Sequence, residues 1–474
     1  MKYSSKTPEP RHDGRVTRRR FLGTAAGVAA APWIIPASAM GADGHVAPSN
    51  RINIGQIGRG RMGLGHLRRL AYDPNVQVMA LCEVDKTRLE DGRLEVQDAY
   101  EERAASGEYK GLSTYNEYRE LLARDDIDAV VIVTPDHWHS LQSIHAAKAG
   151  KDIYCEKPVS VTVEESRRLV QAVQRYGRVF QNGSQYRSAT AIRRVCEFVR
   201  GGGLGKVKSA YTIWGGMSAY SGSGPYHASV TLDVALAAEP TPEWLDWDLW
   251  VGPAQIRPYN QAYHRNPIPG VVPWSFCEDF GAGACTGYHS HAADVMQYAL
   301  GYEESGPVDI IHPYSGEFPT VTYRYDNGTL FHMVDGWQAV KSVYHAVPDD
   351  ARLEGNFGGV FVGERGWLTS MTGGGDLEGG PASIFEELGL PSRSTTQGKN
   401  DHYPNWLECI KTREKPHSHE EIGHRAASLG HLTHICLHLG RSLKWDPAKE
   451  EFVGDDQANR MLRRASRAPW NITA

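Results

Sequence analysis

The chain reads as an α/β protein whose first half forms a doubly wound parallel sheet. Three observations predict this. Apolar runs alternate with helical segments from residue 52 to residue 185. A glycine-rich turn, Gly58-Arg59-Gly60-Arg61-Met62-Gly63, separates the first run from the first helix. An acid, Glu83, closes the second run. Strand–helix alternation of this kind builds a parallel sheet covered on both faces.

In order, INIGQI (52–57) reads as a buried strand, LGHLRRLAY (64–72) as a helix and VQVMALCEVD (76–85) as a second strand. The strands at 127–135, 151–158 and 178–185 alternate with helices at 138–150 and 163–177. A lone G-x-G-x-x-G is weak, but here a strand precedes it and a helix follows, the context that a dinucleotide site needs. Gly58, Gly60 and Gly63 allow a tight turn and a close approach of backbone N–H groups to a pyrophosphate, with Arg61 and Met62 in the same loop. The helix N-terminus adds partial positive charge. Glu83 lies 20 residues past Gly63, where an acid accepts hydrogen bonds from the adenosine ribose. Such an acid repels a 2′-phosphate, which favours NAD, while Arg59 and Arg61 keep NADP open. Ligands of these sheets sit beyond the strand C-termini. Thr134-Pro135, Glu156-Lys157 and Gln185 should therefore meet in one crevice.

The first forty residues carry a different message. Residues 1–20 are basic and polar, Phe21 to Ile35 is a modest apolar run, and Ala37-Ser38-Ala39 offers a processing site. With Arg18-Arg19 before Phe21-Leu22, this resembles a twin-arginine export signal. The expectation is export of a folded protein through the twin-arginine translocon to the periplasm. The apolar run is shorter than the roughly 20 residues of a spanning helix, and no later one is longer, so no stable membrane span is expected after processing. The remaining chain, roughly 430 residues, suits two domains of about 100–200 residues each. We place them at 46–186 and 187–474, with 1–45 as signal and linker. A net charge of −5 and the lack of a long basic run after the signal argue against nucleic acid as partner. The seven scattered cysteines are not a disulfide framework, although Cys277 and Cys285 are near enough in sequence to pair.

At TPDHWHS (134–140) and YCEKPVS (154–160) the chain resembles the Gfo/Idh/MocA oxidoreductases. The likeness continues through LDWDLWVGPA (245–254), RPYNQAYH (257–264), DFGAGACTGYHSHAADVMQYALG (279–301) and EIGHRAASLGHL (421–432). It implies an N-terminal Rossmann domain and a C-terminal α/β domain with an open, mostly antiparallel sheet over the nicotinamide. The strand-like runs at 205–215, 307–313, 319–326, 329–336 and 358–370 suit such a sheet, and 371–400 reads as loop. The resemblance also implies a homo-oligomer and a small carbohydrate substrate. It places His137 and His139 beside the cofactor, and makes Lys157 a catalytic residue beside the nicotinamide.

His291 matches the family's catalytic histidine, with Asp294 following it. The usual aspartate four residues before that histidine is Gly287 here, flanked by an additional His289. His289 or Asp279 could replace the missing group, or the chemistry could differ. Arg187, Tyr263, His264, Asp279 and Asp294 are the candidate substrate contacts. Three readings stand: a periplasmic oxidoreductase acting on a sugar hydroxyl with tightly held, internally recycled NAD; an NAD-dependent glycoside hydrolase working by oxidation, elimination and re-reduction; and a sugar-binding protein with a structural nucleotide. His424, His431, His434 and His438 share one expected helix, but no H-E-x-x-H accompanies them, and no metal site is expected.

Overall fold

The computed structural model describes residues 46–213, 236–265, 274–355, 358–371, 375–394 and 400–472. The stretch expected to be an export signal, residues 1–45 with its linker, lies outside them. Up to Arg51 the chain is a separate unit, in which Pro48–Asn50 form a single 3-10 turn. The unit from Ile52 onward holds both sheets and the helices that cover them.

Six strands build the first sheet: β1 (Ile52–Ile57), β2 (Val76–Cys82), β3 (Ser113–Tyr115), β4 (Ala129–Ile132), β5 (Asp152–Cys155) and β6 (Phe180–Asn182). Their order is β3-β2-β1-β4-β5-β6 and every pairing is parallel. All four residues of β4 and all four of β5 are buried, as expected where helices cover both faces. Helix α1 (Arg61–Ala71) buries Gly63, Leu67, Leu70 and Ala71 at helical spacing and turns Arg68 and Arg69 outward in its last turn. Basic groups there also suit the helix dipole. Helix α2 (Lys86–Ala99) follows β2, α3 (Asp136–Lys148) follows β4 and α4 (Val163–Tyr176) follows β5. Thr162 caps α4 by accepting from the Glu165 N–H, and Gly177 ends it at φ 60°.

After α5 (Thr190–Arg200), the second sheet has nine strands: β7 (Val207–Ile213), β8 (Asp309–Ile311), β9 (Thr322–Arg324), β10 (Leu330–Val334), β11 (Val360–Gly363), β12 (Trp367–Thr369), β13 (Gly379–Gly380), β14 (Leu443–Asp446) and β15 (Glu451–Phe452). Only β7 and β10 pair in parallel; the other pairings are antiparallel. Helices α5, α6 (Ser290–Leu300) and α8 (Glu420–Leu439) cover it, burying Ile192, Val195, Met296, Leu432 and Ile435 against Tyr323, Phe331 and Phe361.

Three features depart from the sequence reading. The run 358–370 is two strands, β11 and β12, paired through a turn. The stretch expected as loop holds β13 and a helix, Ser383–Leu388, because Ile384, Phe385 and Leu388 find a core to enter. The segment 187–474 does not serve the second sheet alone. Helix α7 (His402–Thr412) sends Tyr403, Trp406 and Leu407 into the core beneath β1 and β2, and Trp470 packs edge-on to Trp138 at 5.0 Å. Cys277 and Cys285 stand as separate buried thiols.

Candidate active site

A cleft of about 480 Å³ opens at the C-terminal ends of β1, β2, β4 and β5. Its floor is the glycine loop. Gly58 has φ +91°, and a Cβ there would lie 2.5 Å from the Val133 carbonyl oxygen. A Cβ on Gly63 would meet the Gly58 carbonyl oxygen at 2.6 Å. Gly60 instead faces open space, with Arg88 Nη1 the nearest atom at 3.9 Å. The Gln56 amide ties the loop by donating to the carbonyls of Gly58 and Gly63, both at 2.9 Å. No side chain caps the N-terminus of α1. A helix end left uncapped over a glycine cradle is the donor set that a pyrophosphate needs. Arg61 and the exposed Met62 line its rim.

Glu83 lines the cleft beyond this loop and is buried. Its carboxylate accepts from the N–H of Arg59 at 2.7 Å and of Asp85 at 3.0 Å, while burial pushes its pKa up. The two bonds aim the carboxylate where a ribose diol would reach it. The residues present therefore fit a dinucleotide.

Thr134 and Pro135 line the opposite wall. Thr134 Oγ1 donates to Gln142 at 2.7 Å. His139, also on the cleft, has ring nitrogens 2.6 Å from the Pro158 carbonyl and 2.7 Å from the Thr134 carbonyl, joining the ends of β4 and β5. His137 is not on the cleft. It lies between the carbonyls of Phe280 and Trp250, and burial drives its pKa down to about 3, so the neutral ring donates to one of them.

Lys157 and His291 meet at the far end of the cleft. The Lys157 ammonium donates to the Gly287 carbonyl at 2.8 Å. That carbonyl belongs to a π-helical turn, Ala284–Tyr288, leading into α6. Such turns often mark functional sites. Burial, with help from Lys157, holds the His291 pKa down to about 3, so its imidazole is neutral. Glu156 is committed. It takes His66 Nε2 at 3.0 Å, the Gln185 amide at 2.7 Å and the Lys157 N–H at 3.1 Å. Burial opposes its charge, but His66 and Lys157 hold its pKa at about 2. Gln185 thus acts through Glu156 rather than on the cleft wall.

The structure gathers some candidate residues and disperses others. Of the proposed substrate contacts, His264 alone lines the cleft, with its pKa lowered to about 4 by burial. Arg187 is 4% exposed and locked between Asp294 and Glu303. Asp279 pairs with Arg257, and Tyr263 is buried among Trp247 and Phe280. His289 is buried off the cleft, its pKa lowered to about 4 by burial. The sequence reading passed over two residues. His66 sits on the buried face of α1 and reads as core from its spacing. Asp136, within TPDHWHS, reads as an ordinary acid at a helix start, yet it lines the cleft.

In α8, His424 and Glu421 form a compact cluster with Glu450 that has metal-like spacing. Arg167 spans both glutamates through four bonds of 2.7–2.8 Å, and Arg425 adds another at 2.7 Å to Glu421. Two guanidinium groups already neutralise these carboxylates, so the cluster is an ion-pair network, not a cation site.

A doubly wound sheet with a glycine phosphate loop and an acid at the end of its second strand defines a dinucleotide-binding fold. Comparison with known proteins agrees. The oxidoreductase family model for the NAD-binding Rossmann fold matches residues 52–184, and the model for its C-terminal alpha/beta domain matches 224–371 and 393–472. The chain belongs to the Gfo/Idh/MocA oxidoreductase family and carries its NAD-binding domain.

Among curated relatives, a glycosyl hydrolase family 109 protein of Shewanella pealeana is 31% identical over 176 residues, 34% of this chain and 38% of that protein. An alpha-N-acetylgalactosaminidase of Shewanella oneidensis is 31% identical over 141 residues, 30% of each chain. The chain thus spans 30–38% of the length of these relatives. Two solved structures share the fold. An aldose–aldose oxidoreductase from Caulobacter crescentus, complexed with glycerol, has a TM-score of 0.54 at 17% identity, covering 83% of this chain and 99% of that one. The WlbA dehydrogenase from Bordetella pertussis, in complex with NADH and UDP-GlcNAcA, has a TM-score of 0.51 at 16% identity, covering 84% and 99%. Among the described residues no helix is long and apolar enough to cross a membrane.

Proposed function

We propose that the chain is an NAD-dependent oxidoreductase acting on a CH–OH carbon of a sugar or glycoside, exported folded to the periplasm as a homo-oligomer. The observation that carries this reading is the meeting of the glycine loop, Lys157 and a neutral His291 on one cleft. NAD held there supplies a reversible hydride acceptor, and free nucleotide is scarce outside the cytoplasm, so a second carbonyl substrate would have to take the hydride back.

The chain's own residues supply the rest. The Lys157 ammonium stabilises negative charge developing on the substrate oxygen. A neutral His291 accepts the hydroxyl's hydrogen bond and orients it, but its lowered pKa makes it a poor place to leave the proton. Trp274 and Phe276, both part-exposed, line the same cleft and offer flat apolar faces for a sugar ring. Protein recovered from the periplasm should release NAD(H) on denaturation. Adding a reducing sugar to the native protein should produce one equivalent of reduced nicotinamide, with further turnover only after a carbonyl acceptor is added. Periplasmic protein that neither contains nor binds the nucleotide would overturn the reading.

A second reading, glycoside cleavage without net oxidation, is favoured by the glycosyl hydrolases among the relatives. Its signature is sugar released from a glycoside with no net change in nicotinamide absorbance.

A further inference from the structure

Among the described residues, three carboxylates line the cleft: Glu83, Glu156 and Asp136. Glu83 belongs to the ribose end, held by the N–H groups of Arg59 and Asp85. Glu156 is saturated by His66, Gln185 and the Lys157 backbone. Asp136 differs. It is the first residue of α3, it is 5% exposed, and its Oδ2 accepts from the Ala282 N–H at 3.0 Å.

The same oxygen stands 3.6 Å from where a Cβ on Gly287 would be, and among the described residues, apart from Gly287's own chain neighbours and the backbone of its turn, no other heavy atom comes within 4 Å of that point. Gly287 is also the residue whose carbonyl takes the Lys157 ammonium at 2.8 Å. The missing side chain at 287 therefore leaves a gap beside Lys157 that a carboxylate from the other domain's helix faces.

Resting on the oxidoreductase reading above, we propose that Asp136 is the proton-accepting carboxylate of this cleft, working beside Lys157 in the space that Gly287 leaves open. As the substrate carbon gives up its hydride to NAD⁺, the substrate hydroxyl gives its proton to the Asp136 carboxylate. The products are the carbonyl compound, NADH and a neutral Asp136, so atoms and charge balance. In the return direction the Asp136 carboxyl protonates the carbonyl oxygen as hydride comes back. The charged and titratable groups around it are His139 on its own helix, Glu156 and Lys157 after β5, and His291 at the head of α6, which shares the cleft. Burial lifts the Asp136 pKa to about 6, against the opposing pull of His139, the Ala282 N–H and Lys157. A carboxyl titrating near operating pH can both take and return a proton.

Three variants of the full chain, loaded with cofactor, test this: Asp136→Asn, Asp136→Ala, and Asp136→Ala combined with Gly287→Asp. Both single variants should lose roughly 10²-fold or more in hydride transfer. NADH affinity, read by fluorescence titration, should stay unchanged. In the NADH complex of the wild type, infrared spectroscopy should show a protonated-carboxyl band that fades as pH rises through about 6 and is absent from Asp136→Asn. Gly287→Asp should restore much of the loss in Asp136→Ala, because position 287 has room and no left-handed backbone.

Wild-type protein that transfers hydride alongside undiminished single variants would overturn the assignment while leaving the oxidoreductase reading standing. So would a folded, NADH-binding double variant no faster than Asp136→Ala, or the absence of the band. Wild-type protein with neither nucleotide nor hydride transfer would overturn both.

Discussion

The Lys157 ammonium donates to the carbonyl oxygen of Gly287 across 2.8 Å, although 130 residues separate them in sequence. This bond joins the strand end after β5 to the turn before α6, so the two domains meet where the chemistry is expected. It also fixes the ammonium through a neutral carbonyl, beside the carboxylates of Glu156 and Asp136, where it can meet a substrate oxygen.

Replacing that cation should stop the chemistry and spare cofactor binding. Lys157→Met should lower hydride transfer by roughly 10²–10⁴-fold. Stopped-flow absorbance of the bound nicotinamide measures the rate, and NADH fluorescence measures the affinity. A variant within a few-fold of wild type in rate would remove Lys157 from the mechanism.

Cofactor choice should follow the charge on Glu83. Glu83→Gln keeps an acceptor for one of the Arg59 and Asp85 N–H groups, loses the bond to the other, and removes the repulsion toward a 2′-phosphate. The ratio of NADP to NAD affinity should rise by about tenfold, consistent with loss of one close charge interaction. Calorimetric titration with both nucleotides reads this directly, and an unchanged ratio would move the ribose contact elsewhere.

Arg187 and Asp294 should behave as structural partners. Their side chains are 4% and 1% exposed, and Glu303 closes the guanidinium's other side at 3.0 Å. Asp294→Ala leaves a buried guanidinium short of a partner, and removing one member of such a pair costs about 3–5 kcal/mol. Urea unfolding should show this loss. If stability held while KM for the sugar rose, the pair would belong to the substrate site after all.

Stability should fall with pH from mild acid downward. Burial pushes the pKa values of His137, His402 and His431 down to about 3. At neutral pH these rings are uncharged both in the fold and in the unfolded chain. Below about 6.5 the unfolded chain binds protons that the fold refuses until near 3, so acid favours unfolding. Glu421 adds a second loss. Burial works against its charge, yet Arg167, His424 and Arg425 hold its pKa at about 2. Its stabilising effect is complete above its unfolded value and disappears as pH drops from about 4.5 toward 2. The urea midpoint should decline between about pH 7 and 5 and more steeply below 4.5; a flat profile over the first interval would contradict the buried neutral histidines.

Chelation should change nothing. Arg167 and Arg425 already hold Glu421 and Glu450 beside His424. Dialysis against EDTA should leave melting temperature and activity unaltered, and a drop restored by a divalent cation would reopen the cluster as a metal site.

The cofactor half of the site was legible from sequence because its requirements are local. Gly58 needs a positive φ and a bare Cα against Val133, and Gly63 needs a bare Cα against Gly58. Glu83 needs only to end the strand after the loop. Lys157 likewise follows a strand that its own apolar run defines. Spacing along the chain carries such information, since neighbouring residues in a strand–turn–helix keep a fixed relation.

The substrate half depended on contacts made across the fold. In sequence, Arg187 and Asp294 look like exposed charges beside motifs, and only packing shows that they neutralise each other in the core. His424 and Glu450 become partners only when α8 meets the end of β14. Asp136 looks like a helix-start acid, and nothing nearby in the chain tells that its oxygen faces the gap at Gly287. The sequence by itself determined the sheet, the phosphate loop and the lysine, because periodicity and turn chemistry act over a few residues. Tertiary structure decided which polar groups were left to the cleft, because a buried charge takes whichever partner the completed fold brings within reach.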